Sequence, residues 1–265
     1  MPNATVDGVT ISYGDGGGDS TPVVLLHAFP FNSQMWEPQL QGLGDRFRFV
    51  TPDLAGFGAS DAPSNPEDYS MDRFADQVKA VIDALGATEV ILGGLSMGGY
   101  VALAFMRRYP DVVKALVLAD TRAEADPPEG KDKRTSQQEL VRNEGTAGLI
   151  ETLSGALLSE STRTNSPEVV ARAKELMKNP DAGFVGALEA MKNRPDSTDG
   201  LSKIGVPTLI IVGENDGVTP PDAARKLHEH IGGSRLVVIP DSGHISNLEA
   251  PEAFNAAFGE FLGSL

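Results

Sequence analysis

Short apolar runs recur along the chain and alternate with segments of helical periodicity. The runs are rich in Val, Ile and Leu without polar alternation, a pattern typical of strands covered on both faces. These predicted strands are Val23–Leu26, Phe47–Thr51, Val90–Leu92, Ala115–Ala119, Thr208–Val212 and Leu236–Ile239. In front of them, Thr5–Tyr13 is interrupted by Asp7-Gly8, which predicts an N-terminal hairpin.

Amphipathic helical segments separate the apolar runs. The clearest covers residues 70–85, where apolar side chains recur every three or four positions and Gly86 follows the last turn. Pro220–Ile231 and Pro251–Leu262 begin with a proline in the first helical turn, where its missing N–H costs nothing. Short buried strands alternating with helices predict a mostly parallel sheet with helices on both faces.

The alternation stops between Thr121 and Gly200. No strand-like run occurs there, and Pro127-Pro128 followed by a charged patch opens the segment. The helices predicted within it cover residues 137–143, 146–158, 167–178 and 181–192. We therefore expect an α/β core of residues 1–120 and 201–265, with a helical insertion at residues 121–200.

The composition excludes several kinds of chemistry. The 265 residues include no Cys, which rules out disulfides and thiol nucleophiles, and only four His, which leaves little room for a metal site. A formal charge of −15 disfavours nucleic acid and anionic membrane surfaces as partners. The chain begins without a signal-like segment and contains no phosphate-binding or dinucleotide motif, so we expect a cytoplasmic protein with no metal and no cofactor.

Gly94-Leu95-Ser96-Met97-Gly98 matches the pattern G-x-S-x-G. The pattern is weak alone, but Val90–Leu92 predicts a strand before it and Gly99–Met106 a helix after it. A strand that enters a helix through one sharp turn strains its central residue and directs that side chain over the carboxyl edge of the sheet. Ser96 is therefore the candidate nucleophile.

With this turn, the chain resembles the α/β-hydrolase superfamily, and Gly94–Gly98 is similar to its nucleophile elbow. The resemblance extends to the N-terminal hairpin, His27–Pro30, Asp53–Ser60, Gly213–Pro220 and the surroundings of His244. It implies an α/β-hydrolase fold in which the helical insertion is the family's cap. Within the superfamily, the chain is similar to small serine esterases and enol-lactone hydrolases.

A serine hydroxyl needs a general base, and one of the histidines is well placed to serve. His244 follows the last predicted strand, in a loop at the carboxyl end of the sheet, and it matches the superfamily's base. We expect His228 and His230 at the surface, and His27 as a structural residue that holds its own loop.

The base needs a carboxylate to orient it. Asp216 follows the strand Thr208–Val212 and gives the chain order Ser96, Asp216, His244, which is the order of this fold. Three other carboxylates stay open as candidates. Glu214 lies nearer the strand end, Asp120 follows the strand after the elbow, and Asp241 is very close in sequence to the base.

A tetrahedral oxyanion needs preorganised N–H donors. Met97 opens the helix after the nucleophile, so its N–H is free. The resemblance implies that the second donor is the backbone N–H of Phe29, in a loop similar to the family's His-Gly-x-Pro loop. Here Ala28 replaces the glycine, and its methyl group narrows the backbone conformations available to the loop.

The expected reaction is hydrolysis of a small carboxylic ester or lactone through an acyl-enzyme. Enol-lactone hydrolysis, C–C bond hydrolysis and perhydrolysis are alternatives within the fold, and a ligand sensor that keeps the triad is the alternative from another class. We expect a small-molecule ester or lactone as the partner, and a monomer or small homo-oligomer.

Apolar side chains predict the substrate pocket. The candidates are Phe31, Trp36, Phe57, Leu149, Leu153, Phe184 and Leu188, with Leu157 and Met191 as further cap residues. The negative net charge disfavours an anionic substrate unless an arginine such as Arg122 lines the pocket. Arg122 follows a predicted strand end, and we expect it at the surface.

Overall fold

Eight strands form one sheet in the computed structural model, which describes residues 1–265. They are β1 (Asn3–Val6), β2 (Val9–Asp15), β3 (Val23–Leu26), β4 (Phe49–Pro52), β5 (Val90–Leu95), β6 (Val113–Ala119), β7 (Thr208–Gly213) and β8 (Arg235–Ile239). Their spatial order is β1-β2-β4-β3-β5-β6-β7-β8. The pairs β1–β2 and β2–β4 are antiparallel and all others are parallel, which confirms the predicted sheet and its N-terminal hairpin.

Helices flank the sheet and fill the interval between β6 and β7. They are α1 (Glu37–Leu43), α2 (Met71–Ala84), α3 (Met97–Arg108), α4 (Pro128–Glu144), α5 (Ala147–Leu157), α6 (Glu160–Asn165), α7 (Pro167–Leu176), α8 (Asp181–Lys192), α9 (Pro221–His230), α10 (Ser246–Glu249) and α11 (Pro251–Gly263). Not one of them combines the length and the apolar character that a bilayer span requires.

The middle of the sheet is covered on both faces. Every residue of β3, β5 and β7 is buried, which explains why these strands are continuous apolar runs instead of alternating ones. By contrast, α2 buries one apolar stripe that includes Phe74 and Val78 and exposes its opposite face, as its periodicity predicts.

The helices between β6 and β7 differ in two places from the sequence prediction. The helix expected at residues 137–143 begins earlier, at Pro128. The sequence does not predict this start, because the buried residues of the helix are Gln138 and Val141 and residues 128–136 show no apolar periodicity. The additional helix α6 begins after Ser159, whose side chain accepts a hydrogen bond from the backbone N–H of Thr162. The boundaries of the core and the insertion stay a prediction, and the word cap below means α4–α8.

The cap packs on the loop that follows β4. The backbone of Gly183 in α8 lies so close to Gly56 that a Cβ atom at residue 183 would collide with the Gly56 carbonyl group. Asn179, just before α8, accepts a hydrogen bond from the Gly58 N–H (2.8 Å) and donates one to the Pro30 carbonyl (2.9 Å). The cap therefore contacts both the loop after β4 and the loop after β3.

We predict that Gly183→Ala lowers the free energy of unfolding by about 1–3 kcal/mol, because the added methyl group would force apart two backbones that touch. The measurement is the midpoint of urea unfolding at unchanged slope. Gly155→Ala is the matched control, since a Cβ there meets no atom within 4 Å and the alanine favours the helix by about 0.5–1 kcal/mol. Equal midpoints for both variants would contradict the proposed tight contact.

Candidate active site

Ser96 is the single residue between β5 and α3, and its backbone is in the left-handed region with φ of 54°. A Cβ on Gly94 would collide with the Gly98 carbonyl, and a Cβ on Gly98 would collide with the Leu26 carbonyl. The backbone N–H of Ser96 donates to Ala119 at the end of β6 (2.9 Å), which fixes the turn against the neighbouring strand. The glycines of the motif are thus required by the packing around the strained serine.

Ser96, His244 and Asp216 form one hydrogen-bonded chain. The Ser96 Oγ lies 2.7 Å from the His244 Nε2, and the His244 Nδ1 lies 2.8 Å from the Asp216 Oδ2. All three side chains are buried. An ionised carboxylate can only accept, so Nδ1 carries the imidazole proton and Nε2 is left to accept the proton of the serine hydroxyl.

Asp216 is held as a carboxylate despite its burial. Its Oδ1 accepts the backbone N–H groups of Val218 (2.8 Å) and Thr219 (2.9 Å), and its Oδ2 accepts the Thr219 hydroxyl (2.8 Å). Burial raises the pKa of Asp216, but His244 and the Thr219 donors outweigh it, so the pKa lies below its ordinary value. Burial lowers the pKa of His244, yet the Asp216 carboxylate outweighs it and the pKa lies above 6.5.

The loop that carries His244 is bound to the cap. The backbone N–H of His244 donates to the carbonyl of Leu157 at the end of α5 (2.9 Å). Glu249 in α10 accepts the Gly243 N–H at Oε1 (3.0 Å) and the Ser159 N–H at Oε2 (2.8 Å). One carboxylate therefore joins the loop of the candidate base to the segment between α5 and α6.

Of the other candidate acids, only Asp120 lies near the imidazole. Glu214 and Asp241 are exposed, whereas Asp120 is fully buried. Its carboxyl accepts the Gly213 N–H (2.8 Å) and the Ser246 hydroxyl (2.6 Å). Burial and the neighbouring Asp216 raise the pKa of Asp120 to about 8.

One candidate oxyanion donor, Met97, adjoins Ser96 in sequence, and the other, Phe29, lines the same cavity as Ser96. Met97 is the first residue of α3, where an N–H has no intrahelical acceptor. The Phe29 N–H donates to no acceptor in the structure. Ala28 is not among the residues with positive φ, so its methyl group fits the conformation of this loop.

The remaining histidines occupy structural and surface positions. His27 is buried, with its Nδ1 3.0 Å from the Ala28 carbonyl and its Nε2 3.0 Å from the Leu54 N–H, so it joins the loops after β3 and β4. His228 and His230 are exposed on α9. No group of three or more His, Asp or Glu side chains is arranged to hold a metal ion.

A cavity of about 480 Å³ opens onto Ser96 and His244. Leu153, Leu157 and Met191 of the cap line it, as the sequence predicts, and Phe29 and Tyr100 line it from the core. The prediction is wrong for the other candidates, which do not line the cavity: Phe31, Trp36, Phe57, Leu149, Phe184 and Leu188.

All six candidates are buried, and two of them, Phe57 and Phe184, pack behind the wall residue Phe29. The ring of Phe184 packs edge-on against Phe29 with centroids 5.3 Å apart, and Phe57 packs against His27 at 5.1 Å. Trp36 packs against Phe254, away from the cavity. Helical spacing identifies a residue that faces inward, but it does not separate the first layer around a cavity from the second.

The charged part of the cavity wall was missed by the sequence interpretation. Arg122, expected at the surface, is half-buried and lines the cavity, together with Lys133, Arg134 and Asp126. The available signal was the position of Arg122 just after β6, at the same sheet edge as Ser96. The contributions of α4 carried no signal, since α4 begins in a polar stretch without apolar periodicity.

The geometry agrees with what known proteins of similar sequence and structure indicate. A family model described as the alpha/beta hydrolase fold matches residues 21–251. The chain is 34% identical to the AB hydrolase superfamily protein YisY of Bacillus subtilis, over 93% of each chain.

Two solved structures superpose over almost the whole chain. A thermophilic esterase from Thermogutta terrifontis is 38% identical with a TM-score of 0.94, and the match covers 99% of this chain and 98% of that one. An enol-lactonase from Burkholderia xenovorans is 29% identical with a TM-score of 0.91, covering 99% and 100%.

We predict that an NMR titration places the pKa of His244 above 6.5, because the carboxylate of Asp216 stabilises the imidazolium. In Asp216→Asn this charge is removed while burial remains, so the pKa of His244 falls below its wild-type value. His27 is the internal control, because burial holds its pKa below 6.5 and Asp216 does not contact it. A His244 pKa that does not respond to Asp216→Asn would exclude the pairing.

Proposed function

The chain belongs to the alpha/beta hydrolase family, and on this premise we propose that it hydrolyses small carboxylic esters or lactones through an acyl-enzyme on Ser96. The observation that carries the proposal is the continuous chain of hydrogen bonds from Asp216 through His244 to Ser96, ending at a cavity. Similarity to an esterase and to an enol-lactonase supports the same class of reaction.

The acylation step follows from the positions of the three side chains. The Ser96 Oγ attacks the carbonyl carbon of the ester while the His244 Nε2 takes the hydroxyl proton. The negative charge that forms on the carbonyl oxygen is stabilised by the N–H groups of Phe29 and Met97. His244 then donates its proton to the departing alkoxide, which is released as an alcohol. The acyl group stays bound to the Ser96 Oγ.

Deacylation repeats the same proton transfers with water. His244 takes a proton from a water molecule, whose oxygen attacks the acyl carbon, and the proton returns to the Ser96 Oγ as the carboxylic acid leaves. Asp216 stays ionised throughout, holding the Nδ1 proton in place and stabilising the imidazolium. For a lactone, alcohol and acid are released as one molecule.

The cavity limits the size of the substrate. At about 480 Å³ it falls within the range of ordinary small-molecule sites, and its cap side is apolar around Leu153, Leu157 and Met191. These dimensions favour small esters and lactones over long acyl chains. Amide, diketone and perhydrolase chemistry are separate outcomes of the experiment below.

We predict that Ser96→Ala lowers kcat for a short-chain aryl ester by several orders of magnitude, because no other hydroxyl contacts His244 Nε2. The wild-type protein and the variant are compared on a panel of esters, lactones and diketones with product analysis. Multiple turnover on esters or lactones supports the proposal. Turnover confined to diketones, or single-turnover binding without hydrolysis, would replace it by C–C hydrolysis or by a sensor.

Replacement of the two buried acids distinguishes their roles. We predict that Asp216→Asn lowers kcat by roughly 10⁴-fold, since an amide no longer fixes the Nδ1 proton of His244. Asp120→Asn is the matched control, because Asp120 is equally buried but bonds to Gly213 and Ser246 instead of to His244, and the amide preserves its size. Its kcat is expected to stay far closer to wild type, and a larger loss in Asp120→Asn than in Asp216→Asn would reassign the acid.

A further inference from the structure

The charge of the cavity wall is opposite to the charge of the chain. The protein carries a formal charge of −15, yet the cavity is lined by three cations, Arg122, Lys133 and Arg134, and by one carboxylate, Asp126. At physiological ionic strength the field of distant surface carboxylates is screened within about 8 Å. The electrostatic potential that a ligand meets in the cavity is therefore determined by the charged residues of the wall and not by the net charge of the chain.

The one carboxylate of the wall, Asp126, is already neutralised by two ion pairs. Its Oδ1 pairs with Arg194 (2.9 Å) and its Oδ2 pairs with Arg134. Asp126 and Arg194 are almost completely buried, and Arg194 also lies over the ring of Tyr100 at 4.1 Å. Each oxygen of Asp126 is thus already paired with a guanidinium.

Arg122 lacks such a partner. No carboxylate lies within ion-pair distance of it, and its Nε is buried without a hydrogen-bond acceptor. The guanidinium is half-buried at the cavity wall and close enough to His244 to lower the pKa of the imidazole. Asp126, Glu124 and Tyr100 lie near enough to favour the charged form of Arg122, but none of them forms an ion pair or a hydrogen bond with its Nε. A half-buried cation without a close ion-pair partner is a group that an anionic ligand stabilises.

We propose that Arg122 binds a free carboxylate of the substrate, so that the preferred substrates are esters or lactones that carry a second, ionised carboxyl group. The inference rests on the proposed ester hydrolysis at Ser96. Arg122 and Ser96 line the same cavity and follow neighbouring strands, β6 and β5, so one small molecule contacts both. A planar guanidinium suits bidentate binding of a carboxylate, and Lys133 adds positive charge at the same wall.

The test compares esters matched in length that differ in charge. Ethyl hydrogen adipate is compared with ethyl hexanoate for a carboxylate on the acyl side, and 4-acetoxybutanoate with butyl acetate for one on the alcohol side. Wild-type kcat/KM is expected to be higher for the anionic ester of at least one pair. Arg122→Gln is expected to lower that value about tenfold to a hundredfold, mainly through KM, and to lower kcat/KM for the neutral ester of the same pair much less.

Two controls separate contact from general charge effects. Arg235→Gln removes the same charge from β8, where Arg235 pairs with Glu260 at the surface. It is expected to leave the ratio of kcat/KM between the anionic and the neutral ester unchanged in both pairs. Arg122→Lys keeps the charge and is expected to recover part of the preference. All rates are measured at the plateau of the pH profile, because loss of Arg122 raises the pKa of His244.

The failure of this inference is distinguishable from the failure of the proposed function. Hydrolysis of all four esters by wild type and not by Ser96→Ala would support the proposed esterase activity. If wild type then prefers the neutral esters, or if Arg122→Gln lowers kcat/KM equally for the anionic and the neutral ester of each pair, the role of Arg122 is overturned while the esterase activity stands. Adipate binding to Ser96→Ala, measured by calorimetry, tests the anion site without turnover. Weaker binding after Arg122→Gln supports it, and unchanged binding overturns it.

Discussion

The close passage of β5 into α3 is the constraint on which the site depends. Ser96 alone connects a strand buried on every residue to a helix buried along most of its length, and it does so with a positive φ. This turn excludes side chains at Gly94 and Gly98 and places the Met97 N–H at a helix start beside the Ser96 hydroxyl. The same strain that costs folding free energy holds the candidate nucleophile and one candidate oxyanion donor in fixed relation.

Charge burial explains why one of two adjacent acids pairs with the base. Two ionised carboxylates buried beside one imidazole would repel each other. Asp216 receives donors from Val218, Thr219 and His244 and stays ionised, whereas burial and Asp216 itself raise the pKa of Asp120 to about 8. Asp120 still contributes, because its bonds to Gly213 and Ser246 join the ends of β6 and β7 to the loop of His244.

The sequence predicts the strands of the sheet and the positions of the residues that directly follow them. The sheet, its hairpin and the placement of Ser96, Asp216 and His244 follow from apolar runs and from the residues just after them, because parallel strands gather their carboxyl ends at one edge. The residues of the cavity wall that belong to the cap cannot be predicted in this way, because they do not follow strands. Phe184 and Leu153 both face inward on cap helices, yet only Leu153 reaches the cavity, and that difference is set by how helices pack rather than by spacing.

The cap is bonded to the loop of the candidate base and also lines the cavity. Leu157 lines the cavity with its side chain and holds the His244 backbone with its carbonyl, and Glu249 joins the same segment to Gly243. A displacement of α5 would therefore move the cavity wall and the base together. In the same way, α4 supplies Arg134, which neutralises Asp126 and leaves Arg122 unpaired at the cavity wall. The charge of the cavity wall and the position of the candidate base thus both depend on helices whose sequence shows little sign of either.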